Sequence, residues 1–498
     1  MKKYITATVI LLIIIIIAAA VLIGITGAGD KNGVSSATSE STSVTSATSA
    51  STSSPEKPVP HEHSFDTNLA CVCGETLDID EYFSFRENTY NTYMITSCKR
   101  TYSRMVLPSQ YKGKSVTAIG TEAFRECVGV DYIEIPESIK YINAGAFGSC
   151  SDLREVKLHK GIVRIQEKAF ENCENLVSIE IPESVTYLGA KVFYGCCRLN
   201  ISIAPENSKY YSEGNCIINR TSRRVMFGNS MSEIPRDEKI DAIENYAFSG
   251  DKLIETVVIP DTIVSIGMSA FSDCINLKSV TIPDSVVSIG DGAFSGCGKL
   301  TDIALPNKLR GLPKSIFAEC ISLKSITLPD SVVFVGVGAF TNCTGLEKVI
   351  LSDNITHIDL GAFSGCEKLT DISLPEKLTD IGISAFANCK NLESIVIPEG
   401  VTSINGSLFY GCTGLTSIII PDGVYTIGPD AFTYCESLSE MSIPSSVAEI
   451  FDGALSGCEN LTRINYGGTV DMWKNLIKYD LKGACTVYCT DGEIKLWE

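Results

Sequence analysis

Two histidines and two cysteines, His61, His63, Cys71 and Cys73, stand close together in the sequence. Imidazole and thiolate are suited to completing a tetrahedral zinc site. The spacing is H-x-H and C-x-C, however, whereas structural zinc sites use C-x2–4-C knuckles that turn both sulfurs toward one metal. Segment 61–79 therefore has two readings, a zinc ligand set and a linker, and the spacing favours the linker. The other two histidines, His159 and His357, lie far apart, and neither has a nucleophile and a carboxylate fixed nearby by a recognisable motif. No P-loop or dinucleotide fingerprint occurs in a phosphate-binding context. The chain reads as a non-enzyme, with no cofactor unless 61–79 holds zinc.

The larger store of reactive groups is the set of 20 cysteines in 498 residues. Thirteen stand at 127, 150, 173, 196, 274, 297, 320, 343, 366, 389, 412, 435 and 458, each the third residue after a Phe or, at the last, Leu455. The anchors themselves recur at one fixed interval, as from Phe271 to Phe294 to Phe317, except between Phe193 and Phe248, where an added segment accompanies one repeat. One cysteine per unit, and an odd number of them, argues against disulfides between neighbours. Free cysteine behaves as a small buried apolar residue, so the spacing predicts an unpaired ladder of core thiols. Cys485 and Cys489 lie outside the ladder and would pair if Thr486 to Tyr488 formed a turn.

The elements that position these thiols follow from one unit, Leu277 to Cys297 (LKSVTIPDSVVSIGDGAFSGC). Alternation predicts a short strand with Val280 and Ile282 inward and Ser279 and Thr281 outward. Pro283, lacking an N–H, ends it. Val286 and Ile289 return to the core, and Gly290 suits a turn with positive φ. Ala293, Phe294 and Cys297 predict a tight helical or 3-10 turn. A short fixed period means stacked coils sharing one core. The fold class is a mainly β repeat solenoid of leucine-rich-repeat type, with 14 coils and short parallel strands, spanning 116–466 and carrying one insertion at about 204–235.

The pattern L-x-x-V/I-x-I/L-P-x-x-V-x-x-I-G-x-x-A-F-x-x-C resembles the BspA-like class of leucine-rich repeats, found in surface proteins of gut and oral bacteria and of some parasitic protists. Tyr82 to Tyr111, within 80–115, is similar to the family's N-terminal cap, Ser208 to Gly228 to its internal hairpin, and 467–498, with Trp473, Cys485 and Cys489, to its C-terminal cap. His159 and Ser352 replace the strand-ending proline, and Asp251 replaces the repeat cysteine beside the insertion, which implies an irregular coil there. The resemblance implies a cell-surface adhesion or protein-binding module whose partners are extracellular or host matrix proteins or other surface proteins. The alternative is an envelope spacer or scaffold without a specific ligand, since fold does not imply function.

A binding function must use what the coils expose. Most outward strand positions are small, hydroxylated or β-branched, as in any exposed strand. The candidate contacts among them are Tyr132, Val258, Ile350, Val396, Ile419 and Arg463. The fourth repeat is left out of this comparison because it is one residue short before its strand.

Residues 1–29 hold two lysines and then an apolar run from about Tyr4 to Ala28, long enough to span a bilayer. The lysines place the N-terminus inside and the remainder outside. This reads as a signal anchor, with a cleaved signal peptide and a secreted chain as the alternative. Residues 30–60, mostly Ser, Thr and Ala and then three prolines, form a disordered stalk by composition. A net charge of −18 excludes nucleic acid as a partner.

Overall fold

The computed structural model describes residues 78–478 and 485–496. The apolar N-terminal segment, the Ser/Thr-rich stretch and the cluster His61, His63, Cys71 and Cys73 lie outside the described residues. Among the described residues no helix is long and apolar enough to cross a membrane.

The chain is a parallel β-solenoid of about 17 turns. In the unit already dissected, the strand Ser279–Thr281 buries Val280 and exposes Ser279 and Thr281, as alternation requires. It pairs in parallel with its neighbours at an offset of one full repeat, Thr256 with Ser279 and Ser279 with Asp302. Pro283 ends the strand and accepts a bond from Val286 N–H (3.1 Å), closing a turn into the second strand, Ser288–Ile289. That strand belongs to a second parallel sheet, in which Ser265 pairs with Ser288.

The third side is built of turns. Ala293, Ser295 and Cys297 donate to Gly290, Gly292 and Phe294, each the third residue back. Left-handed residues at Gly292 (φ +61°) and Gly296 (φ +73°) interrupt the bonding, so no helix runs through it. Gly290, expected to need a positive φ, does not have one. A Cβ there would instead overlap the neighbouring coil, 2.7 Å from the Gly267 carbonyl carbon. Its role in this coil is close backbone approach.

Stacking produces two ladders along the turn side. Rings from Phe248 to Phe432 lie face to face at centroid spacings of 5.0–5.9 Å. The repeat thiols form the other. From Cys150 to Cys458 each Sγ donates to the carbonyl of the preceding coil's Phe, at 2.9–3.3 Å. The repeat thiols are free, as the spacing predicts. They also join each coil to the one before, a role that apolar packing alone did not suggest.

The caps continue the coil. At the N-terminal end Tyr93–Cys98 runs parallel to Lys114–Ile119 and antiparallel to Phe83–Glu87, while Arg104–Val106 extends the first sheet by pairing with Tyr132–Glu134. At the other end Arg463–Tyr466 pairs with Cys485–Cys489, which turns back into Gly492–Leu496. These hairpins cover the sheet edges that a bare array would expose. Cys485 and Cys489 are therefore the two ends of one extended strand, about 13 Å apart, too far for a bond between them.

The insertion is a three-stranded meander, Tyr210–Glu213, Cys216–Asn219 and Arg224–Phe227. Its last strand stands in for a coil by pairing in parallel with Ala242–Ile243. Both solenoid sheets break here, and the core divides into two apolar clusters that meet at the meander.

Candidate binding surface

The outward strand positions depend on the parallel register. Val396 and Ile419 are bridge partners on adjacent coils, 83% and 71% exposed. Neighbouring parallel strands lie about 4.8 Å apart, so the two side chains form one apolar patch. Ser442 continues the row on one side. Val258 and Ile350 are exposed but stand alone, each beside a threonine, Thr281 and Thr327.

The two terminal candidates are engaged with the caps. Tyr132 is buried, not exposed, because the cap strand beside it lays the Arg104 guanidinium 4.0 Å from its ring centroid. The exposed Arg463 stacks over Tyr488 at 4.4 Å and donates from Nε to Asn465 Oδ1 at 2.8 Å. Arg463 and Tyr132 act as seals between array and caps, and the contiguous part of the face is Val396 with Ile419.

The fourth repeat, left out of that comparison, joins the same sheet. Asn200–Ile203 pairs in register with Ser178–Ile181, and Asn200 and Ser202 point out. The missing residue falls between Leu199 and Ile201, and the alternation Asn-Ile-Ser-Ile was the signal for it. The second sheet has an outward row as well. Tyr141, Arg164 and Tyr187 are aligned on three coils, with Arg164 stacked 4.3 Å from the Tyr187 ring, and further along Phe334 pairs with His357. The residue preceding each inward Ile or Leu of the second strand marks this row in the sequence.

Some charges pair one coil apart. Lys157 meets Glu134 at 2.8 Å, Lys278 meets Glu255 at 2.8 Å and Lys390 meets Glu367 at 2.7 Å. Such exposed pairs contribute about 0–1 kcal/mol each. The Lys157 ammonium, with His159 beyond it, holds the Glu134 carboxyl below its ordinary pKa. His357 bonds Thr356. Among the described residues no group of three or more His, Cys, Asp or Glu could hold a metal.

The seam at the insertion is the other built feature. Asp251, in the place of a repeat cysteine, is buried and accepts from the N–H groups of Ser230 (2.7 Å), Leu253 (2.7 Å) and Ile254 (3.1 Å). Burial raises its pKa, partly offset by these bonds. Beside it, burial and the Asp251 charge push the Cys197 thiol up to about 11. On the turn side a cavity of about 250 Å³ opens between the Phe193 and Phe248 coils, lined by Lys191, Tyr194, Asn219, Phe227 and Tyr246. Tyr194 donates across the gap to Asp273 (3.2 Å), and Lys191 Nζ lies 4.2 Å from the Tyr246 centroid. The seam is thus a polar weld where the thiol ladder is interrupted.

The BspA-type leucine-rich repeat model matches residues 115–237, 241–370 and 357–479. No curated protein sequence matches the chain. Among solved structures, a leucine-rich repeat protein of Bacteroides ovatus is 24% identical, over 81% of this chain and 97% of that one, with a TM-score of 0.48. A leucine-rich cell surface protein of Faecalibacterium prausnitzii is 24% identical over 80% and 96%, with a TM-score of 0.42. A leucine-rich repeat protein of Eubacterium ventriosum is 18% identical over 62% and 92%, with a TM-score of 0.49. With the repeat matched across most of the described chain and built as stacked coils of one period, the protein belongs to the BspA-type leucine-rich repeat family.

Proposed function

We propose that the protein is a cell-surface adhesion module that binds other proteins through the first-sheet face at Val396 and Ile419. The observation that supports this is the pairing of two strongly exposed apolar side chains across a parallel bridge between adjacent coils. Solenoids commonly bind along such extended faces, and an apolar contact needs no free charge. In this reading segment 1–29 attaches the chain to the membrane, 30–60 is the stalk, and partners are extracellular matrix or other surface proteins.

The test compares binding of the full chain, and of the same chain carrying Val396→Lys and Ile419→Lys, to immobilised matrix and bacterial surface proteins. Covering two such side chains is worth about 3–6 kcal/mol, so losing the contact weakens binding by about 100-fold or more. The thermal unfolding temperature should stay unchanged, because both positions face solvent. Equal binding by the two proteins rejects the assignment of the face, and a chain that binds nothing in the panel favours the spacer.

A further inference from the structure

Backbone bonding along the turn side is interrupted once, at the insertion. In a regular coil the N–H groups two residues before the anchor Phe, at it and two after it all donate to the next coil. Lys168, Phe170 and Asn172 bond the carbonyls of Ala190, Val192 and Tyr194, and beyond the insertion Tyr246, Phe248 and Gly250 bond those of Met268, Ala270 and Ser272. The matching N–H groups of Lys191, Phe193 and Gly195 meet no acceptor among the described residues. Lys191 and Gly195 are left-handed, at φ +55° and +76°, as Lys168 and Asn172 are at +57° and +56°. The row therefore keeps the conformation that turns its N–H groups to one side, an arrangement that favours an anion. On the facing coil the Ala247 carbonyl takes the Gly228 N–H, while the Asn245 and Ser249 carbonyls meet no donor among the described residues.

The cavity of about 250 Å³ lies between these two coils, and the exposed Ala190 and Asn245 on its lining open it to solvent. Phe193 is buried, and a buried N–H without an acceptor is rare in a folded protein. The lining also carries a cation. Lys191 Nζ lies 4.2 Å from the Tyr246 centroid and 5.3 Å from that of Tyr194, and it makes no ion pair among the described residues. Glu244, the one carboxylate on the cavity wall, is engaged by Arg224 at 3.5 Å.

We propose that this cavity binds a small α-carboxylate with an N–H on the same carbon, as a free amino acid and the C-terminal residue of a peptide both have. The carboxylate lies against the N–H groups of Lys191 and Phe193 and the Lys191 ammonium. The ligand N–H donates to the carbonyl of Asn245 or Ser249 on the facing coil. Tyr194, Phe227 and Tyr246 offer its side chain an aromatic wall. The volume falls below the about 300–1,000 Å³ of drug-sized sites and limits the ligand to about one residue. The site is separate from the face at Val396 and Ile419 and stands whether or not that face binds protein.

The experiment titrates the full chain by calorimetry with phenylalanine, N-acetylphenylalanine, the amides of both, and inorganic phosphate. At least one of the acids should bind, about tenfold or more tightly than its amide, because the amide lacks the charge that Lys191 and the N–H row receive. Binding of phenylalanine alone assigns the site to free amino acids, and binding of N-acetylphenylalanine assigns it to peptide ends. Lys191→Met should weaken the acid by about tenfold or more, whereas Lys168→Met, at the matching position one coil earlier, should not. Hydrogen exchange across residues 188–195 should slow in the bound chain. The comparison of acid with amide on the wild type decides the matter even if Lys191→Met fails to fold. No binding of either acid at millimolar concentration, equal binding of acid and amide, phosphate binding as tightly as the acids, unchanged affinity in Lys191→Met, or protection only elsewhere in the chain would each overturn the proposal.

Discussion

Replacing one ladder thiol separates packing from hydrogen bonding. Cys343 is fully buried, and its Sγ lies 3.0 Å from the Phe317 carbonyl. That carbonyl also accepts from Cys320 N–H at 3.1 Å, so removing the sulfur does not orphan it. Cys343→Ala loses about one methylene equivalent of burial, about 0.8 kcal/mol. It leaves a small hole worth roughly 0.6 kcal/mol at about 25 Å³, and gives up a weak donor worth about 0.5 kcal/mol. The total is about 2 kcal/mol. Cys343→Ser leaves a similar hole but keeps a donor, somewhat farther from Phe317 because the C–O bond is shorter. If the thiol acts as a donor, serine costs no more than alanine. If it only fills space, serine costs more, because a buried hydroxyl without a good partner is penalised by about 1–3 kcal/mol. Urea unfolding of the full chain, comparing midpoints at constant m, measures the order. Serine less stable than alanine by more than about 1 kcal/mol would refute the hydrogen-bonding role.

Further outcomes follow from the seam and the thiols. Asp251→Ala leaves the N–H groups of Ser230, Leu253 and the buried Ile254 without their acceptor and should cost about 1–3 kcal/mol in the same assay. The Asp251 carboxyl is raised in the folded state, so its contribution is fully present below the unfolded value of about 3.9 and is lost as pH rises through the folded value. Wild type should therefore lose stability relative to Asp251→Asn as pH increases through that window, and a difference flat from about pH 3 to 7 would contradict the assignment. Native alkylation at about pH 8 should reach the half-buried Cys127, whose thiol is held below its ordinary value, and spare Cys343, whose thiol burial pushes up to about 12. All should react after denaturation, and rapid native labelling of Cys343 would count against a closed ladder.

Much of the fold was legible because a fixed period repeats the same inward residues, and stacking admits one register for them. What escaped depended on the neighbouring coil. Gly290 reads as a turn glycine from its own unit, yet the constraint comes from the backbone of Gly267 and Met268. Tyr132 reads as exposed on its own strand and is covered by Arg104 from a cap strand with no repeat signature. Cys485 and Cys489 suggest a turn by spacing, and the parallel partner Arg463–Tyr466 draws them into a strand. The thiols read as filler because their acceptors lie a whole coil away, a relation set by three-dimensional stacking. The candidate face was readable position by position, but its grouping was not. Only the bridge between Val396 and Ile419 turns dispersed apolar residues into a patch.

That patch carries the functional reading, and side-chain footprinting tests it most directly. The full chain would be labelled with a photogenerated carbene, alone and in complex with whichever matrix or surface protein binds it in the panel. Protection of Val396 and Ile419, with Phe334 on the second sheet labelled as before, is the predicted result. Protection confined to the second sheet, or unchanged labelling at Val396 and Ile419 in a complex shown to be saturated, would contradict the account.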